Sequence, residues 1–217
     1  MVTTEYLAVK KASFISGLTD RELNRVVDEH LLPDELFVQT KGARLFSALG
    51  VALAQFYFKS AEVLSASSRK WIITSAFESM KQDRKTLKVP DAVILGNANW
   101  EIELDVVKVD IAPFMRDVWS RLSVLDETEK MIEQDDNVMS GRPVFKGTRL
   151  PIDMVASENG ELSEEEALEA YPFLTREKIE AAKLYQRINP SRGRPRRLIE
   201  ANPGLKMSDR KGDEFTA

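Results

Sequence analysis

The side chains best suited to binding chemistry are arginines near the C-terminus, in the run SRGRPRR. They are Arg192, Arg194, Arg196 and Arg197. Guanidinium groups form bidentate hydrogen bonds with carboxylates and phosphates. The glycine and proline between them favour an extended arm without apolar partners, which would become ordered on contact with an acidic partner. The alternative is an unspecific solubilising or nucleic-acid-tethering tail.

A second polar set lies near the N-terminus and could contact DNA. It consists of Arg21, Asn24, Arg25, Lys41 and Arg44. Arginine pairs bidentately with guanine and asparagine with adenine, while cations on a hairpin hold phosphates. The alternative is an ordinary solvated helix face. Asp20, Asp28 and Glu29 favour that alternative because their carboxylates repel phosphate.

Covalent and metal chemistry find little support. The chain has no cysteine and one histidine, His30, so disulfides and a His/Cys zinc site are excluded. We expect His30 to pack at a helix end. The turn at Lys146–Arg149 lacks the spacing of a phosphate loop; we expect Gly147 to form a tight turn and Arg149 to tie it to a carboxylate.

A cluster of acids offers the remaining possibility of a cation site. Its members are Asp126, Glu127, Glu129, Glu133, Asp135 and Asp136. Their spacing is not that of an EF-hand loop, and a solvated helix face explains them better. The sequence therefore predicts no metal, no cofactor and no enzymatic activity.

The elements that would position the N-terminal set follow a familiar order. Residues 9–16 form a predicted helix that ends at Gly17, and Thr19 with Glu22 forms a capping box for the next helix. Apolar residues, beginning with Leu23, recur at helical spacing, so this helix has one buried face. A hairpin turning at Lys41-Gly42 follows. Helix, turn, capped helix and hairpin together are typical of a winged helix-turn-helix.

The middle of the chain combines helices with a hairpin. Residues 48–64 and 67–81 are predicted helices; the first is apolar nearly all round, so it is buried within the fold or against a second copy. We expect Trp71 and the other aromatic residues to lie in the core. Residues 93–95 and 100–111 are predicted strands, with a bulge near Val106 where the alternation of apolar residues shifts.

The last part predicts a trihelical unit. A short strand at Val144-Phe145 and a turn precede three helices, which begin at Pro151 and at the caps Ser163 and Thr175. The fold class is thus mainly α with small β-hairpins (α+β). We assign 1–86 to the winged helix-turn-helix, 87–136 to a central hairpin and helix, 137–189 to the trihelical unit and 190–217 to a basic tail.

The composition of the chain restricts its possible binding partners and its location. The net charge is −4, with 43% hydrophobic and 30% charged residues, so any nucleic-acid binding must come from local patches. No apolar run approaches the roughly 20 residues of a membrane span, and the N-terminus lacks the features of a secretory signal. We therefore expect a cytoplasmic protein that does not enter a membrane.

Two segments resemble known families. The run from Tyr6 to Phe58, with ISGLTDRELNRVVDEHLLP and a wing that ends in GARLF, resembles the MerR-type winged helix-turn-helix. The resemblance implies sequence-specific DNA binding as a homodimer, with the long helix after the wing helping dimerisation.

The second resemblance covers Asn137 to Pro195. GRPVFKGTRLPIDMV, LSEEEALEAYPFLTREKIEAAKLY and the closing GRP resemble an uncharacterised trihelical domain common in bacterial antitoxins of the VapB kind. Such antitoxins are encoded beside PIN-domain ribonuclease toxins. The loop before Leu162 departs from the pattern with a bulkier Glu-Asn-Gly-Glu. The resemblance implies an antitoxin that binds a PIN-domain toxin in a hetero-oligomer and represses its own operon at operator DNA.

The chemistry of that partner would explain the arginine arm, since PIN nucleases hold metal in a pocket of carboxylates to which arginines are attracted. Three hypotheses stay open at this stage. The first is the antitoxin and repressor, and the second is a transcriptional regulator without a toxin partner. The third is a nuclease that uses the acidic cluster.

Overall fold

The computed structural model describes residues 6–87, 100–104, 107–156 and 163–190. The fold is mainly helical, with small antiparallel strand pairings, so the predicted fold class is confirmed. No helix in these ranges combines the length and the apolar character that crossing a bilayer requires.

The N-terminal unit begins with two short helices and a three-stranded sheet in the order β1-β3-β2. The strands are antiparallel; Phe46 on β3 lies opposite Leu7 on β1 and Phe37 on β2. The elements are β1 (Leu7–Ala8), α1 (Val9–Ser16), α2 (Asp20–Asp28), β2 (Phe37–Gln39) and β3 (Arg44–Phe46). The first strand therefore joins the hairpin of the predicted wing and fixes it against the two helices.

Local signals set the turn between α1 and α2 as predicted. Gly17 adopts a left-handed conformation with φ of 68°, which glycine tolerates best. The Thr19 side chain accepts a hydrogen bond from the Glu22 backbone N–H, and the Glu22 carboxylate accepts one from the Thr19 backbone N–H at 2.8 Å. The predicted capping box is confirmed.

Two longer helices follow. In α3 (Ala48–Lys59) every residue from Leu49 to Tyr57 is buried, and the helix ends five residues before the predicted Leu64. Helix α4 (Ala66–Leu87) buries Ile72, Ile73 and Phe77. The expectation that Trp71 lies in the core is wrong, because its side chain is 48% exposed on the edge of that apolar face.

The central hairpin differs from the prediction. Strand β4 (Glu101–Leu104) pairs with β5 (Val107–Asp110), with Leu104 opposite Val107. Residues 100–111 therefore form two antiparallel strands rather than one, and the bulge predicted near Val106 lies outside the described residues. The predicted strand at 93–95 lies outside the described residues.

Helix α5 (Ala112–Lys130) carries Pro113 in its first turn, as predicted. It packs against α1 and α3, and its buried Met115, Val118 and Leu125 belong to the same core as the N-terminal helices. The positions of α1 and α3 therefore depend on α5.

The C-terminal unit has a second core. Strand β6 (Ile132–Glu133) pairs with β7 (Val144–Phe145), and three helices cover this pair. They are α6 (Asp153–Ala156), α7 (Glu164–Ala170) and α8 (Arg176–Ile188). The caps predicted at Ser163 and Thr175 are confirmed. Ile188, at the end of α8, is 3% exposed and belongs to the first core, so α8 joins the two.

A close backbone approach yields a test of the N-terminal packing. A Cβ added to Gly50 would lie 2.6 Å from the backbone oxygen of Leu36. That oxygen accepts hydrogen bonds from the backbone N–H and the hydroxyl of Ser47, the α3 cap. We expect Gly50→Ala to lower the free energy of unfolding by about 1–3 kcal/mol, although alanine favours helix by about 1 kcal/mol.

Gly42→Ala is the matched control, because a Cβ there meets nothing within 4 Å. We expect it to change stability by less than about 0.5 kcal/mol. Urea denaturation of both variants makes the comparison, and equal stability would contradict the close approach of the Leu36 backbone to α3.

Candidate nucleic-acid interface

Helix α2 presents three of the predicted DNA contacts on its outer face. Leu23, Val26 and Val27 are buried beneath it. Arg21 and Arg25 are therefore exposed, while Asn24 is half-buried beside the wing. The helix is anchored by its apolar stripe and its capping box, so these side chains have a defined direction.

Arg25 is engaged by its own helix. Its guanidinium donates to both carboxylate oxygens of Glu29, at 2.8 and 3.0 Å, and lies 5.6 Å from the ring centre of Phe58. The hydrogen bonds from Arg25 lower the pKa of Glu29 below its ordinary value. Arg25 can reach a base only by exchanging this internal partner for it.

Arg44 connects the wing to α2. Its Nη1 donates to the side-chain oxygen of Asn24 at 2.8 Å, and both terminal nitrogens donate to the carboxylate of Asp28. The sequence predicted a phosphate contact for Arg44, yet its guanidinium is already paired here. The geometry makes Arg44 a structural link between β3 and α2.

Arg21 and Lys41 are the unengaged cations of the predicted set. Both are exposed, and within the described part of the chain neither has a hydrogen-bond or ion-pair partner. The acids of α2 and of its C-terminal end have partners. Asp20 pairs with Lys10, and Glu22 caps the helix. Glu29 pairs with Arg25, and Asp28 pairs with Arg44. The repulsion expected from these carboxylates is thus partly neutralised.

A polar group beneath the turn was missed by sequence reasoning. The amide of Gln55 on α3 donates to the backbone oxygen of Ser16 at 2.8 Å and to Asp117 on α5 at 2.6 Å. Arg121 donates to Asp117 and to the backbone oxygen of Phe14. These bonds hold the end of α1 in place. Apart from the bond between Arg121 and Asp117, they join residues 39 to 107 apart in the sequence, which no short-range pattern could reveal.

The other candidate sites have simpler outcomes. Arg192, Arg194, Arg196 and Arg197 lie outside the described residues. In the acidic cluster, Lys130 pairs with Asp126 and Glu127, whose hydrogen bonds raise the pKa of Lys130. Among the described residues, no group of three or more His, Asp or Glu side chains is placed to hold a metal ion.

Two smaller expectations are wrong. His30 is exposed in a left-handed conformation and lies 3.1 Å from Asp34, so it does not pack at the helix end. Gly147 does form the turn, with φ of 73°, and the Thr148 hydroxyl closes it by donating to the Phe145 oxygen. However, the exposed Arg149 has no carboxylate partner among the described residues; Arg142 instead pairs with Asp153.

Comparison with known proteins agrees with the division into two cores. A family model described as a protein of unknown function (DUF433) matches residues 132–185, which span the second core. The chain is 34% identical over 209 residues to the uncharacterized protein y4eO of Sinorhizobium fredii (strain NBRC 101917 / NGR234), an alignment that covers 95% of this chain and 92% of that protein. No solved structure matches the chain. The chain therefore belongs to the family of y4eO and carries a DUF433 segment as its second core.

Proposed function

We propose that the protein is a DNA-binding antitoxin, which represses its own operon and neutralises a PIN-domain ribonuclease toxin. The observation that carries the DNA-binding half is the arrangement β1–α1–turn–α2 with the β2–β3 wing beside it. This order is that of a winged helix-turn-helix, in which the second helix enters the major groove. No reaction is catalysed in this proposal.

In the DNA complex Arg21 contacts a base edge from α2, and Lys41 contacts a phosphate from the wing. Asn24 has its side-chain oxygen occupied by Arg44, so its amide N–H groups remain as donors to a base. Arg25 takes part only by releasing Glu29. The exposed ion pair between them is weak enough for that exchange.

The MerR-type resemblance implies a homodimer in which the long helix after the wing, here α3, helps dimerisation. We propose that α4 forms the contact instead. Helix α3 is buried within the chain's own core. Helix α4 instead exposes Trp71, and a large exposed aromatic residue is typical of contact surfaces. The homodimer would thereby present two copies of α2 to adjacent turns of DNA.

The toxin-binding half rests on the C-terminal resemblance and on the placement of the arm. The match at residues 132–185 agrees with the segment that resembles the VapB-associated domain. Helix α8 ends at Ile188, shortly before the arginine-rich run begins. The arm would insert its guanidinium groups among the metal-binding carboxylates of the nuclease.

One observation favours a second candidate, a transcriptional regulator without a toxin partner. Helix α8 packs against α1 and α5, and Arg187 lies 5.7 Å from the ring centre of Phe14 on α1. The C-terminal unit is thus built onto the helix-turn-helix, which suits a second contact to DNA or to another copy of the chain.

The DNA contact can be tested by two substitutions. We expect Arg21→Ala to weaken binding to the chain's own upstream DNA by about 1–3 kcal/mol, because a base contact is lost. Lys41→Ala should reduce the slope of log affinity against log salt by about 1, because a phosphate contact is lost. Fluorescence anisotropy across a salt series measures both. Arg116→Ala on α5, also exposed, should change neither, and unaltered binding by the first two variants would exclude α2 and the wing as the reader.

Substitution of Asp28, the acidic partner of Arg44, distinguishes the two possible roles of Arg44, which are a structural link and a phosphate contact. If Arg44 links the wing to α2, then Arg44→Ala and Asp28→Ala both loosen the wing, and both weaken DNA binding. If Arg44 contacts phosphate, removal of Asp28 frees it and tightens binding. Affinities of the two variants for the same DNA decide, and we expect both to fall.

Truncation after Asn189 tests the arm. We expect the truncated chain to bind DNA as the full chain does and to lose inhibition of a PIN-domain protein encoded beside it, since the guanidinium groups are gone. The measurements are RNA cleavage by that protein and anisotropy with DNA. Full inhibition by the truncated chain would remove the arm from the mechanism, and absence of any such neighbour would favour the regulator without a toxin.

A further inference from the structure

A cleft in the C-terminal unit has no role in the proposed DNA binding or in the proposed contact of the arginine-rich arm with a toxin. It has a volume of about 570 Å³ and lies between the turn after β7 and the loop that joins α7 to α8. Apolar side chains of Leu150, Pro151 and Met154 line it, with Met139 and the aromatic rings of Tyr171 and Phe173. This size suits one or two bulky side chains of a ligand.

The charged groups of the lining are two arginines, Arg142 and Arg149. Arg142 donates to Asp153 at 2.7 Å, so part of its charge is compensated. Arg149 is exposed and without a partner in the described part of the chain. The hydroxyl of Thr148 is engaged in its own turn. The cleft therefore offers one free guanidinium beside an apolar floor.

The aromatic wall is held in place before any ligand arrives. Lys178 donates to the backbone oxygen of Phe173 at 2.8 Å and lies 5.7 Å from its ring centre. Tyr171 meets the Phe173 ring edge-on at 5.9 Å. Even so, Phe173 is 39% exposed. A fixed but exposed aromatic ring is typical of an anchor site for a partner.

The lining residue Met139 begins a segment with unusual backbone geometry. Met139, Ser140 and Gly141 all have positive φ, at 49°, 56° and 77°. Two consecutive non-glycine residues in this region cost free energy, and such strain concentrates at binding sites. The side chain of Met139, 40% exposed, belongs to the lining of the cleft.

We propose that this cleft binds an acidic segment of a partner protein, with a bulky apolar side chain on the floor and a neighbouring carboxylate on Arg149. A single-stranded nucleic acid fits less well, because it needs a row of cations along its backbone, whereas Asp153 lies beside Arg142. Two methionines in the lining favour adaptable packing against a peptide. The lining residues lie between positions 139 and 173 of the sequence, before the arginine-rich run.

The test uses fluorescein-labelled hexapeptides and anisotropy. The probe has the sequence Glu-Asp-Leu-Phe-Glu-Asp, and its matched controls are Lys-Lys-Leu-Phe-Lys-Lys and Glu-Asp-Gly-Ser-Glu-Asp; an oligo-uridine hexamer represents nucleic acid. We expect the full-length chain to bind the probe at least about tenfold tighter than each control. Preference for the uridine hexamer or the basic peptide, or no binding of the probe at millimolar protein, would overturn the proposal.

Variants assign the binding to this cleft. Arg149→Glu should weaken probe binding at least about tenfold, and Phe173→Ala should do the same without changing the charge dependence. Arg116→Glu makes the same charge change on α5, outside the lining, and should leave binding unaltered. Thermal unfolding confirms that each variant is folded. Equal affinities for Arg149→Glu and Arg116→Glu would place the peptide elsewhere and refute the site.

Discussion

The buried contact of α1 with α3 and α5 is the constraint on which the other features depend. Helix α1 has eight residues, too few to be stable alone in water. Its position is set by the apolar faces that it shares with α3 and α5 and by the hydrogen bond from Gln55 to the Ser16 oxygen. Without that contact the turn at Gly17 has no fixed direction, and α2 cannot present its outer face to anything.

The polar group at this contact specifies geometry more than it adds stability. Gln55 is fully buried, and its side-chain oxygen has no hydrogen-bond partner among the described residues. An unpaired buried acceptor costs about 1–3 kcal/mol. Its amide, however, has two acceptors, one on α1 and one on α5. A leucine at this position would fill the same space but would make no hydrogen bonds that fix the positions of α1, α3 and α5 relative to one another.

Features set by contacts between residues close in sequence could be predicted, whereas features set by contacts between distant residues could not. Gly17, Thr19 and Ser163 act within four residues, and the helix ends that they predicted are confirmed. The phosphate contact predicted for Arg44 stays a prediction, but its pairing with Asp28 could not be foreseen, because Asp28 is 16 residues away and belongs to another element. The apolar alternation from Trp100 to Ile111 did not reveal that these residues form two paired strands, because strand partners are not encoded in the spacing of one segment. The cleft escaped notice because its lining comes from separate segments that only the fold brings together.

Helix α8 determines whether the two units can influence each other. Its first two turns complete the core of the DUF433 segment, and its last residue, Ile188, is buried with α1 and α5. Lys11 on α1 also pairs with Glu129 at the end of α5, next to Tyr185 of α8, whose pKa is raised by burial and by that carboxylate. A partner that binds the chain after Asn189 would therefore act close to the core that Ile188 shares with α1 and α5. Such binding would alter the proposed DNA affinity only if it favours one packing of Ile188 over another, because a ligand shifts an equilibrium only by its differential affinity for the two states.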